Sequence, residues 1–239
     1  VCLDGRNARL QLRFLGEKIG ITLPEGSSSR ASIRNGHINQ TNYFYMDFWN
    51  LITALSLGLA LSAACGFRVF VPLLAMSIAS RAGLIELGES WVWISKTWVL
   101  IAFAAATLLE IGAYYIPWVD NLLDSVATPA AVVAGVIVSA ASIGQIEDVS
   151  PALQWMLAVI GGGGMAGTIQ IGSVLTRAAS STTTGGVANP VVSTAEAGGA
   201  VACSVLAVIV PVVAVVLVLV LMTFVVRLLI KKKRAVPES

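Results

Sequence analysis

Three ionisable side chains, Arg68, Glu110 and Glu196, stand inside otherwise apolar stretches of this sequence, with Arg177 close behind. Charge at membrane depth is costly, so such residues face a partner or a water-filled cavity. One reading makes them a structural ion pair, Arg68 with one glutamate, that pins helices together. The other is a proton- or ion-linked binding site, in which Asn189, Ser193, Thr194 and the helix N-terminus after Pro190 offer donors to an anion. Asp120 and Asp124, four apart near an expected membrane surface, are either a surface cation site or a solvated turn. Residue types alone allow each of these.

Catalysis is harder to assemble. Hydroxyls are plentiful, but the one histidine, His37, lies in the polar N-terminal arm, and no HExxH, GxSxG or Walker pattern occurs. Cys2, Cys65 and Cys203 are far apart and form no CxxC, so neither a disulfide framework nor a Cys/His metal site is supported. Gly162, Gly164 and Gly167 match GxGxxG literally, but no strand precedes them and no acidic residue follows about twenty positions on. We therefore expect no cofactor and no metal, and an enzyme is the less favoured class. A net charge of +2 leaves no nucleic-acid footprint.

The elements that position these residues follow from composition. With 56% hydrophobic and 12% charged residues and a mean hydropathy of +0.84, the chain departs far from soluble domains. It reads as an integral membrane protein whose chief partner is the lipid bilayer. Trp49 to Gly83 is too long for one untilted crossing of a ~30 Å core, and Arg68 and Pro72 interrupt it. It is either a kinked, tilted helix or two pieces meeting near Gly66. Leu84 to Thr97 reads as interfacial, Trp98 to Ile116 as a plain span carrying Glu110, Pro117 to Thr128 as a turn, and Pro129 to Ile146 as another span. Glu147 to Pro151 carries a helix-start signature, the proline falling where its missing N–H costs least. All six tryptophans lie at or just outside the ends of these segments, as an interfacial belt requires.

Ser180 to Glu196 (SSTTTGGVANPVVSTAE) is a polar interruption between apolar runs, and we expect broken helices there. Such backbone survives in hydrocarbon only where protein shelters it or a cavity wets it. The final run, Val191 to Ile230, would extend roughly 60 Å as one helix, so part of it projects or Pro211 breaks it. Lys231 to Arg234 then marks a cytoplasmic C-terminus by the positive-inside rule, in a bacterial inner membrane. If that run crosses once, the Arg81 to Lys96 link and the Glu147 turn share its side.

At an offset of one hundred residues Leu57 to Ser80 resembles Leu157 to Ser180, each followed by a segment with one embedded glutamate. This can be an inverted repeat of the kind many transporters carry, or two small-residue helices alike in composition. Gly58, Ser62 and Gly66 recur every four residues, as do Gly163 and Gly167. These smooth faces allow helices to approach closely, within the chain or toward a homo-oligomer or membrane-complex partner.

Taken together, SAACGFRVFVPLLA, LLEIGAYYIPWVDNLLDSVATP and ANPVVSTAE before a long apolar helix ending KKKR resemble the bacterial membrane family labelled domain of unknown function 4126. The similarity covers Phe48 to Arg234, and Arg68, Pro72, Glu110, Asp120, Asp124, Asn189, Pro190 and Glu196 are the positions matched to its pattern. It implies little about activity.

We expect an all-α polytopic bundle of five or six membrane segments over residues 46–234, with a short tail over 235–239. The leading function is passage of a small solute or ion through a polar site comprising Arg68, Glu110, Asn189, Ser193, Thr194 and Glu196. A non-catalytic scaffold or assembly partner is the alternative, and a membrane enzyme acting on lipid stands third.

Residues 1–45 depart from the family pattern, contain no apolar run of spanning length and show no secretory signal. We read Met46 as the natural start and the arm as an upstream extension; the rival is a basic arm lying on anionic lipid. Peptide mapping of the native N-terminus is expected to find no peptide covering Leu10 to Arg34, and finding one would rule out a start at Met46.

Overall fold

The computed structural model describes residues 48–114, 117–146 and 149–234, the side chains of 117–124 and of most of 225–234 excepted. The proposed start at Met46 and the arm before it lie outside the described residues, as does the 235–239 tail.

Among the described residues every regular element is helical. The first run is two pieces: α1 (Phe48–Cys65) and α2 (Phe70–Arg81), parted at Gly66 to Val69. Just beyond α1 the chain tightens into i to i−3 bonds, Gly66 N to Ala63 O at 3.1 Å and Phe67 N to Ala64 O at 3.0 Å. Pro72 falls in the first turn of α2, where its missing N–H would have had no helical acceptor. A short 3-10 helix (Glu89–Ser95) folds back on α2, held by Ser77 Oγ to Ile94 O at 2.7 Å and Arg81 Nη1 to Ser95 O at 2.9 Å.

α3 (Thr97–Ala113) leaves that piece at a 61° bend. α4 (Pro117–Ile143) follows, so the expected turn over Pro117 to Thr128 is instead helix. Pro117 occupies the first helical position, where proline is favoured. Pro129 is accommodated inside the helix, as proline is in spanning helices whose neighbours satisfy the freed carbonyl. The backbone of Asp120 and Asp124 is therefore helical, and their side chains, with the cation site assigned to them, lie outside the described residues.

Ser150 caps α5 (Pro151–Leu157), its hydroxyl accepting from Leu153 N at 3.4 Å, as the start signature predicts. A π-helical turn (Ala158–Gly163) joins α5 to α6 (Gly164–Thr184). α7 (Asn189–Ile209) follows after four residues only, so Ser180 to Glu196 is mostly helix rather than a broken segment. Gly185 and Gly186 turn the chain at φ of 62° and 86°, left-handed values that glycine takes without strain. Gly185 and Val187 in that turn are exposed, and Gly186 and Ala188 are half-buried.

Pro211 ends the long final run. Val210 is extended (φ −140°, ψ 76°), and α8 (Pro211–Arg234) starts after it. The expectation that Lys231 to Arg234 shares a side with the Arg81 to Lys96 link rested on one crossing, whereas two helices occupy this stretch. Among the described residues four helices are long and apolar enough to cross a membrane, or five with the bent pair counted as one span. The exterior is oily, with Leu108 and Leu109 each 73% exposed, while Arg68, Glu110, Arg177 and Glu196 are buried. Such inversion suits lipid as the surrounding solvent.

One cavity of about 610 Å³ is lined by Asn50 and Thr53 of α1, Leu84 to Glu86 beyond α2, Gln145 beyond α4, and Val208, Ile209 and Pro211 at the α7–α8 junction. The start of α1 and the end of α2 thus share one end of the bundle. Together they form a helical hairpin whose tip, Gly66 to Val69, lies at the far end of α1.

The hairpin is wedged in by small residues. A Cβ on Gly66 would meet Ala166 O at 2.6 Å, one on Gly135 would meet Gly162 O at 2.7 Å, and one on Gly58 would meet Ser139 Oγ at 3.0 Å. Ser62 donates to both Gly58 O (2.7 Å) and Gly135 O (2.8 Å), stitching α1 to α4. The small faces are therefore used within the chain, Gly163 and Gly167 against Val136 and Val132. The two segments read as a repeat differ locally: the break at Gly66 to Val69 matches continuous helix at 166–169.

Gly162→Ala should lower the thermal midpoint in detergent, because its Cβ would lie 2.5 Å from Gly135 O; overpacking of this kind costs about 1–3 kcal/mol. Gly164→Ala, with nothing within 4 Å, should be neutral or gain about 0.4–1 kcal/mol. Equal effects would contradict the tight crossing.

Candidate functional site

Breaking a helix inside the bundle leaves amides that lipid cannot satisfy. At the hairpin tip the carboxylate of Glu110, from α3, meets them: Val69 N donates to Oε1 at 2.7 Å and Phe70 N to Oε2 at 3.0 Å. Val69 offers no side-chain cap of its own, so a residue forty positions away caps α2. Glu110 spends both oxygens on main chain.

The tip also projects Arg68 into the space between α6, α7 and the end of α3, where it is 1% exposed. Its Nη2 donates to Ser193 O at 2.8 Å and to the Ser193 hydroxyl. Glu196, one turn along α7, accepts from Ser173 Oγ at Oε1 and from Arg177 Nη2 and Nε at Oε2, the last at 3.1 Å. Arg68 Nη2 stands 3.7 Å from that same Oε2, an ion pair without a hydrogen bond. Both guanidinium carbons lie 3.9 Å from the centre of the Tyr114 ring, so one aromatic π-system serves two cations.

Helical spacing delivers these groups. Gln170, Ser173 and Arg177 fall on the buried face of α6, and Ser193, Glu196, Ala200, Ser204 and Ala207 on that of α7. Thr107, Glu110 and Tyr114 do so at the end of α3. Arg68 Nε and Nη1 find no hydrogen-bond partner among the described residues, nor do Thr107 Oγ1 and Ser204 Oγ. Buried donors left in that state are costly, and each calls for an explanation.

Of the residues singled out from sequence, Arg68, Ser193 and Glu196 meet directly, with Glu110 beside them at the hairpin tip. Asn189 stands one turn further out on α7, its amide donating to Ser181 Oγ at 2.9 Å. Thr194 is exposed and its hydroxyl donates to Pro190 O at 2.7 Å. The expected pairing of Arg68 with a glutamate holds in part, since Glu196 is shared and bonds more closely to Arg177. Arg177 ranked second in the sequence, and Ser173 went unremarked although Gln170, Ser173 and Arg177 form a polar stripe at helical spacing. Tyr114 gave no signal, because a tyrosine at the end of a span looks like any interfacial aromatic. Among the described residues no three His, Cys, Asp or Glu side chains gather to hold a metal.

A family model described as Domain of unknown function (DUF4126) matches residues 55–231, which include every member of this cluster. No curated protein matches the chain, and no solved structure does.

Removing one partner of a buried ion pair strands the other's charge, at about 3–5 kcal/mol. Glu196→Ala should therefore lower detergent-phase stability by about that much, since Arg177 and Arg68 both lose it. Glu110→Gln keeps one acceptor for the tip amides, and should cost less than Glu110→Ala, which strands both at about 1–3 kcal/mol each. Amide exchange at Val69 and Phe70 checks the mechanism: it should accelerate in Glu110→Ala and stay slow in Glu196→Ala.

Proposed function

We propose that this chain, which belongs to the family described as domain of unknown function DUF4126, passes a small solute or ion across its membrane, with the Arg68 cluster as the polar station on the route. The observation that carries this reading is Arg68 at the tip of the α1–α2 hairpin, buried and, among the described residues, with Nε and Nη1 unspent. A purely structural ion pair has no use for three N–H groups without acceptors. Helix breaks at membrane depth that present polar groups to a sheltered space are how many transporters build their sites.

The cavity at the bundle end supports the same reading. Val208, which lines it, lies on α7 in register with Ser204, Ala200 and Glu196 at four-residue spacing. Twelve residues of helix, roughly 18 Å, separate Val208 from Glu196 along that face. Ala200 is fully buried and Ser204 nearly so, which closes the interval between cavity and cluster. A route along this stripe opens when α7 moves relative to α1. By the positive-inside rule Lys231 to Arg234 would face the cytoplasm, in a bacterial inner membrane.

Wild-type protein in proteoliposomes should raise the flux of small solutes or salts above that of empty vesicles, and Glu196→Gln and Arg68→Ala should reduce it. Unchanged flux in both variants, with normal folding, would remove these residues from the mechanism; no flux by wild type for neutral solutes or salts would remove the reading itself.

A further inference from the structure

The end of the bundle opposite the hairpin tip holds a second cavity, of about 420 Å³, adjoining the one of about 610 Å³ described above. Glu86 and Gln145 line both; Asn50 contributes to the larger, and Glu89, Trp91 and Gln154 to the smaller. The walls of the smaller cavity are firmly held. Trp91 N donates to Gly88 O at 2.8 Å, opening the 3-10 helix, and Gly88 lies so close to the end of α4 that a Cβ on it would collide with Gly144 O. Gln154 Nε2 donates to Ala140 O at 2.8 Å, which ties α5 to α4 and leaves its carbonyl oxygen as an acceptor. The Trp91 ring packs between Trp93 and Trp155, at centre distances of 6.4 and 6.1 Å. The side chains of Glu86, Glu89 and Gln145 make no hydrogen bond or ion pair to a described residue, and among the described residues no Lys, Arg or His lines either cavity. Two carboxylates, amide oxygens and an indole, with no positive charge among them, complement a cation. Cavities of this volume suit a small organic ligand rather than a bare metal ion, and among the described residues no three His, Cys, Asp or Glu side chains gather to hold one.

We propose that these adjoining cavities bind an organic ammonium group, supplied by a zwitterionic phospholipid headgroup or by a free amine. Glu86 and Glu89 meet its charge, the amide oxygens of Gln145 and Gln154 accept its N–H groups, and the Trp91 indole lies beside its alkyl part. Tryptophans collect at headgroup depth, where lipid ammonium groups are found, and three of them gather at this cavity. This site is separate from the Arg68 cluster and does not rest on passage of a solute through it.

The test uses the full chain in a neutral detergent, to which dioctanoyl phosphatidylethanolamine, dioctanoyl phosphatidylglycerol or ethanolamine is added at constant ionic strength. The thermal midpoint should rise saturably with the ethanolamine lipid and not with the glycerol lipid, which has the same chains and no ammonium group. Glu86→Gln and Glu89→Gln, both at exposed residues, should each weaken the response about two- to fivefold, the worth of an exposed ion pair, and together about tenfold. A saturable rise with ethanolamine alone, weakened in the same way, would assign the free amine as ligand; a rise with the ethanolamine lipid alone would assign the headgroup. Should the double variant fail to fold, the wild-type responses decide the matter. An equal response to both lipids with none to ethanolamine, no saturable response to lipid or amine, or an undiminished response in the folded double variant would overturn the proposal. Ammonium binding without flux in proteoliposomes would uphold this site and overturn the transport reading. Flux of solutes without ammonium binding would do the reverse.

Discussion

A chain that stops one helix and starts another within an apolar bundle creates amides that lipid cannot satisfy. Here Glu110 meets that requirement by accepting from Val69 and Phe70 across the α2–α3 interface. The hairpin tip and the direction in which Arg68 leaves the backbone depend on this one carboxylate. Glu110 thus spends both oxygens on main chain, while Glu196 stands within ion-pair distance of both Arg68 and Arg177.

The second dependence is steric. Arg68 reaches α7 because α1 lies against α4 and the π-turn with backbone nearly touching backbone, and only glycine and serine allow that at Gly58, Ser62, Gly66, Gly135 and Gly162. Hydrophobic burial contributes little to association between helices already in lipid, so close van der Waals approach and hydrogen bonds such as those from Ser62 hold the hairpin in place. Glycines in the π-turn serve the same end, since a side chain on Gly162 would collide with Gly135 O. Tight packing on one side of the tip and an ionic cluster on the other leave the hairpin with a single placement.

Much of the architecture was legible in the residues. Hydropathy marked the apolar runs, the Gly66 to Pro72 interruption divided α1 from α2, Ser150 and Pro151 opened α5, and Pro211 ended α7. Two segments were misjudged for identifiable reasons. Pro117 to Thr128 looked like a turn because its proline, its two aspartates and the Pro129 that follows are poor helix formers in water, yet a proline at a helix start and another accommodated within a membrane helix suit α4. Ser180 to Glu196 looked like a broken segment because hydroxyls and glycines cluster there. Thr183 and Thr184 instead bond back to carbonyls of their own helix, at 2.8 and 2.7 Å, and only Gly185 to Ala188 leaves it.

The sequence by itself determined the solvent this protein is built for and the list of charged side chains that must be reconciled with it. Composition and the cost of burying charge are properties of residues, whatever their neighbours. Which carboxylate serves which cation was decided by tertiary structure alone. Arg68 and Glu196 lie more than a hundred positions apart, and the break at Gly66 to Val69 determines whether Glu110 answers a guanidinium or an amide. Hydrogen bonding depends on distances of a few tenths of an ångström, and those arise only when α1, α3, α6 and α7 pack together.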